Sequence, residues 1–231
     1  EDMRATRTRR LARQRARDRS LDERADQLAE LLSGRAARGF EEARLRGASA
    51  WLSFIPLEAL GLDLDAVAFR DAIALRMGLE LPEALPSRCP SCGAVSDIGH
   101  LLKCKRGGWV GRRHKEVLRA WKAYMERGGA TAVFEEPALL PVPHGAAARP
   151  STTHDPGARA DIVARGLFCH GRDEFYDIAV LDTGANCYRG KLSSDILAAH
   201  EERKCGKYHD RIAPHGNFTP LVCTCAGCAH R

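Results

Sequence analysis

The sequence contains no run of eighteen apolar residues, so no segment is long and apolar enough to cross a bilayer as a helix. It has no charged-then-apolar leader of the secretory type. It lacks an even set of cysteines: the nine present cannot all pair, and their spacing points to metal ligation in a reducing compartment. It lacks an initiator methionine, opening on Glu1-Asp2 and stopping at Arg231, so the expectation is a segment of a longer protein. Acidic residues are scarce in one place. From Arg4 to Arg19 eight arginines face a single acid, Asp18, a local charge of +7 against +6 for the whole chain. The remainder is close to neutral, so composition alone does not make the folded part a polyanion binder.

What is present suffices for a core: 231 residues, 44% of them hydrophobic. Residues 1–20 read as an arginine-rich arm, either a solvated helix, a disordered tail, an Arg-rich transit peptide or a nucleic-acid contact. Residues 21–88 read as a helical linker. Leu28, Leu31 and Leu32 fall at helical spacing, with Gly34 and Gly39 as interruptions. Trp51, Phe54, Ile55 and Leu57 form an apolar knot. Asp63 or Asp65 is placed to cap a helix reaching Met77, with Phe69, Ile73 and Met77 on one stripe.

At Cys89 the chemistry changes. Cys89 and Cys92 form a Cys-x2-Cys turn, seven residues separate Cys92 from His100, and three separate His100 from Cys104. A helical turn presents His100 and Cys104 together, since i and i+4 share a face. Three thiolates and an imidazole within sixteen residues complete a closed tetrahedral Zn²⁺ site, structural because no position stays open. Residues 89–111 are therefore read as a zinc knuckle. Lys103, Lys105, Arg106, Arg112, Arg113, His114 and Lys115 crowd the following segment as candidate phosphate contacts. A helix is expected from about Arg112 to Arg127, burying Val117, Leu118, Trp121 and Tyr124.

Strand patterns then appear at 130–136, after Asp161, at Phe175–Leu181 and at Phe218–Thr224, with a Pro-rich loop over 137–158 and a helix over about 194–208. The middle two strands read as a hairpin turning near Gly171. The order predicts a small mixed sheet with helices, an α/β (α+β) fold. Asp161 and Asp177 lie on neighbouring strands, able to share one Mg²⁺, with Glu136 a further ligand candidate. Lys204 on the helix is placed to orient water or offset phosphate charge, with Lys207 in reserve.

The ordered set resembles the C-terminal part of non-LTR retrotransposon reverse transcriptases that carry a restriction-like endonuclease. The knuckle is Cys89, Cys92, His100 and Cys104. An RHN-like segment is Arg113-His114-Lys115. The nuclease motifs are RADIV with Asp161, YDIAVLDT with Asp177, and HEERKCGKY with Lys204 and Lys207. FTPLV at 218–222 and the ASAWLSFIPL and FRDAIALRMG segments add to the likeness, which spans about residues 48–222. The resemblance implies a PD-(D/E)xK endonuclease over 112–231, with its lysine moved onto the helix. It implies Mg²⁺-dependent nicking of a DNA target and a nuclear location. In the parent protein the freed 3′ end would prime copying of element RNA. Departures are Ala160 in place of proline before Asp161, Lys115 in place of asparagine, and the ending CTCAGCAHR. There Cys223, Cys225, Cys228 and His230 have metal-like spacing but read as drift or a truncated end rather than a second zinc site. No Tyr-x-Asp-Asp polymerase motif is present. The alternative readings are a non-catalytic zinc-knuckle nucleic-acid-binding module and a decayed, inactive copy.

Overall fold

The structure, a computed structural model, describes residues 2–53, 61, 63–137, 139 and 159–229. It is mixed α/β: six helices and a four-stranded mixed sheet among the described residues. Phe54, Ile55 and Leu57 of the apolar knot, nearly all of the Pro-rich loop, and His230 lie outside them.

Helix α1 spans Asp2–Leu31 as one piece, so the arginine arm and the first leucines share a helix. The leucine stripe is not buried as expected: Leu28 and Leu31 are exposed. Helix α2 (Gly34–Arg44) begins after the first expected break. Gly39 does not interrupt it. It sits mid-helix because α3 (Ala66–Arg76) ends against it, and a Cβ there would meet the Arg76 carbonyl and the Gly78 amide. Asp65 caps α3, its side chain accepting from the Ala68 N–H at 2.7 Å. The stripe on α3 is also corrected: Phe69 and Met77 are exposed, and Ala74 and Arg76 are buried instead.

Helix α4 (Ile98–Lys103) leads into α5 (Trp109–Arg127), which starts three residues before the expected Arg112. Strands β1 (Ala132–Glu135), β2 (Ile162–Arg165) and β3 (Asp173–Leu181) pair antiparallel in that order. Gly166 and Gly171, at φ 72° and 75°, supply the left-handed residues of the β2–β3 connection. Helix α6 (Ser193–Ile212) then crosses over the sheet and returns the chain as β4 (Gly216–Thr224), parallel to β3.

Strand alternation sorts the core into two layers. Ile162, Ala164, Tyr176 and Ile178 meet Leu118 and Met125 of α5, with Val117 and Trp121 at the margin. Val163 and Phe175 meet Tyr208 and Ile212 of α6, with Leu139, Ala160 and Phe218. Tyr124, expected inside, is 69% exposed, and Met125 takes its place.

A polar clamp ties α2 to the far end of this sandwich. The buried Glu42 carboxylate accepts from Thr183 Oγ1, from Thr224 Oγ1 at 2.8 Å and from Ser193 Oγ at 3.2 Å. Glu41 Oε1 accepts from the Ser193 N–H at 2.6 Å, at the N-terminus of α6, where a carboxylate also suits the helix dipole. Arg35 pairs with Asp182 at 2.8 Å. Glu42→Ala would take the carboxylate acceptor from three buried hydroxyls, so we expect it to lower unfolding stability by about 3 kcal/mol in urea titration. A change below about 1 kcal/mol would mean the clamp is slack.

Candidate active site and metal centre

The knuckle is built from one turn and one short helix. Gly93, at φ 74°, donates to the Cys89 carbonyl at 2.9 Å and closes the Cys-x2-Cys turn. Asp97 caps α4 by accepting from the His100 N–H at 2.6 Å, which presents His100 and Cys104 on one face. The donor atoms of Cys89, Cys92, His100 and Cys104 all lie within 4.8 Å of one another. Cys89 Sγ and Cys104 Sγ are 3.8 Å apart. Tetrahedral zinc with Zn–S bonds of about 2.3 Å has S···S edges of about 3.8 Å. Cys92 Sγ and His100 Nε2 stand 3.1 Å apart. The backbone N–H of Ser91, with that of Cys92 and the neighbouring side chains, outweighs burial and lowers the Cys89 thiol to about 6. The cluster can hold a metal such as zinc.

The second cluster forms at one end of the sheet. Asp161 stands just before β2, and its N–H donates to the Tyr176 carbonyl at 2.9 Å. Ile162 is already the register partner of Tyr176, so two residues face one, the pattern of a β-bulge. The bulge turns the Asp161 side chain along the sheet edge, where Oδ2 accepts from the Ile178 N–H at 2.5 Å. His114 Nε2, from the first turns of α5, lies 3.3 Å from Asp161 Oδ1. Asp177 is in the middle of β3, on the face that α6 covers, and is buried. Lys204, from α6, is ion-paired to Asp177 Oδ2. That oxygen has no aligned hydrogen bond. Tyr208 is within hydrogen-bonding reach of the same carboxylate.

The electrostatics separate the two acids. Burial would raise Asp161, but the His114 hydrogen bond, the Ile178 N–H and the His114 and Lys204 charges outweigh it and hold Asp161 below the ordinary carboxylate range. Burial raises Asp177; Lys204 opposes the shift and the Asp161 charge adds to it. Its bond to Asp161 raises the His114 imidazole, against burial. Burial and the Asp177 charge push Tyr208 up to about 12. Asp161 and Asp177 influence one another electrostatically, share the field of Lys204, and offer an all-oxygen donor set. That set fits Mg²⁺, which takes one or two carboxylates and completes its shell with water and phosphate.

Several sequence candidates land elsewhere. Glu136 is exposed on a positive φ of 47°. Among the described residues, only the Cys₃His set gathers three or more metal-ligand side chains, so Glu136 does not complete a carboxylate triad. Lys207 donates to Tyr208 Oη at 2.9 Å and stacks on that ring, one residue removed from the carboxylates. Lys204, in contrast, acts on both acids. Cys223, Cys225 and Cys228 do not converge: Cys228 Sγ donates to the Glu42 carbonyl, and burial pushes all three thiols up to about 11.

The basic segment divides. Lys103, Lys105, Arg106, Arg112 and Lys115 are exposed, and Arg112 stacks over Trp109 at 5.0 Å. Arg113 instead turns inward, donating to the Leu102 carbonyl at 2.9 Å, and joins the knuckle to α5. His114 joins the acidic cluster. Helical spacing held the signal for both. His114 stands four before Leu118, and Arg113 four before Val117, on the stripe that α5 buries.

No family model matches the chain, and no curated protein is significantly similar to it. No described helix is long and apolar enough to cross a membrane.

Proposed function

We propose that the chain is a Mg²⁺-dependent DNA endonuclease, the nicking unit of a non-LTR retrotransposon reverse transcriptase. The observation that carries this reading is the meeting of Asp161, Asp177 and Lys204 at one end of the sheet. The strand, hairpin, helix, strand order expected of the restriction-like core supports it.

In this reading Asp161 and Asp177 hold the metal. Mg²⁺, when bound, polarises a phosphoryl oxygen and acidifies a coordinated water. His114 on Oδ1 and the Ile178 N–H on Oδ2 fix the orientation of the Asp161 carboxylate. Lys204 orients the attacking water or neutralises charge that grows on the phosphate. Tyr208 and Lys207 back the Asp177 side of the site. The zinc knuckle, with Lys103, Lys105, Arg106, Arg112 and Lys115, forms a cationic surface for the DNA backbone. In the parent protein, the nicked strand would supply the 3′ end for copying element RNA in the nucleus.

The exposed cations by themselves fit a non-catalytic binding module, which predicts salt-sensitive DNA binding without cleavage. A nicking assay with purified chain, with and without Mg²⁺ and with Asp177→Ala, separates the two readings. Cleavage that ignores both changes would remove the nuclease assignment.

A further inference from the structure

One helical turn before Lys204 on α6, an open cavity of about 560 Å³ lies against the helix flank. Neither the metal ligands nor the knuckle lines it. Its walls are Tyr188, Lys191, Asp195, Ile196, His200 and Arg203. Ile196 is a buried apolar floor. Tyr188 is the end of a short 3-10 turn, Asn186–Tyr188, and its hydroxyl is 2.7 Å from His200 Nε2. The two rings meet edge-on, centroids 5.9 Å apart at 71°. Arg203 Nη2 donates to His200 Nδ1 at 2.9 Å, so the remaining imidazole proton sits on Nε2 and points to Tyr188. Burial and the Arg203 and Lys204 charges lower the His200 imidazole, consistent with that neutral form. The aromatic wall is thus held in place by a guanidinium–imidazole–phenol chain. Lys191 and Arg203 are exposed at the mouth, against one carboxylate, Asp195.

A fixed aromatic ring, an apolar floor and two cations at the rim match the parts of a base and its phosphate. Stacking on an aromatic side chain tolerates any base, and the cations track the backbone. The volume is that of a small-molecule site, about 300–1,000 Å³. A stacked duplex cannot offer a separate base to such a concavity, whereas an unstacked nucleotide can.

We propose that this cavity is a nucleotide subsite. It takes one unstacked nucleotide of the cleaved strand beside the scissile phosphate, with the base against Tyr188 and the phosphate at Lys191 and Arg203. The inference rests on the nuclease reading for the identity of the strand, and adds how that strand is gripped.

The test is fluorescence anisotropy of a labelled single-stranded hexanucleotide with the full, zinc-loaded chain in Mg²⁺-free buffer, where the nuclease reading expects no cleavage. Tyr188→Ala is expected to weaken binding about tenfold, within the range that loss of one stacked base gives. Lys191→Ala combined with Arg203→Ala is expected to weaken it by a similar factor. An abasic hexanucleotide should bind wild type about as weakly as the intact one binds Tyr188→Ala, a comparison that needs no substitution in the protein. Equal binding of intact and abasic strands by wild type overturns the subsite, as does wild-type affinity in a folded Tyr188→Ala. Failure of the nuclease reading would appear elsewhere, as missing Mg²⁺-dependent nicking, which this assay does not read.

Discussion

Asp177→Ala is expected to reduce nicking by about three orders of magnitude or more, because Lewis-acid stabilisation by a bound metal is worth several kcal/mol. The carboxylate sits in the middle of β3 with one oxygen satisfied only by Lys204, so no neighbour takes over its place. DNA binding should persist, since the exposed cations lie on the knuckle and the start of α5. Lys204→Ala is expected to cost less, about two to three orders of magnitude, the usual scale for one charge-stabilising donor. The two variants also differ in what they leave behind. Removing Asp177 strands the Lys204 amine, which is 20% exposed and can turn to water. Removing Lys204 leaves Asp177, only 5% exposed, without its counter-charge and pushed further toward the protonated acid. Lys204→Ala should therefore recover part of its activity as pH rises, while Asp177→Ala should not. Parallel pH profiles for the two variants would contradict this assignment of roles.

Removal of the knuckle metal is expected to be the largest structural perturbation. Structural zinc contributes roughly 10–16 kcal/mol of apparent binding free energy in small modules, which is folding free energy there. Residues 88–104 offer little else: one turn, the short helix α4 and an isolated bridge between Arg88 and Val95. Cys104→Ser, or a zinc-selective chelator, should release zinc and open this segment to protease. The β-sheet core, which meets it mainly through Arg113 and α5, should stay folded. Weakened DNA binding should follow because Lys103, Lys105 and Arg106 lose their fixed positions. Full protease protection after metal loss would show that the segment folds without metal.

The parts legible in the sequence were those with local signals. The knuckle has four ligands within one short stretch. The sheet strands carry β-branched and aromatic runs between turn residues, and β3 keeps Asp177 within such a run. Spacing alone did not say which stripes are covered. Phe69, Met77 and Tyr124 sit at helical spacing yet remain exposed, since spacing marks a stripe but not whether the fold covers it. Glu42 was invisible for the opposite reason. A charge on an amphipathic helix reads as solvated, and its partners Thr183, Ser193 and Thr224 are 141 to 182 residues away. His114 was hidden among cations, since only the fold brings α5 to the bulge at Asp161. The sequence put Lys204 first and held Lys207 in reserve, without a geometric reason to divide their roles. The helix phase supplies one, aiming one at the carboxylates and the other at the Tyr208 hydroxyl.

The central claim is that Asp161, Asp177 and Lys204 constitute a metal-dependent nuclease centre. Conversion of supercoiled plasmid to open circle tests it most directly. We predict conversion by the wild-type chain with Mg²⁺, none with the metal withheld, and none with Asp177→Ala, while gel-shift affinity is retained. Conversion by Asp177→Ala at the wild-type rate, or no conversion by a folded, DNA-bound wild-type chain with Mg²⁺, would contradict it.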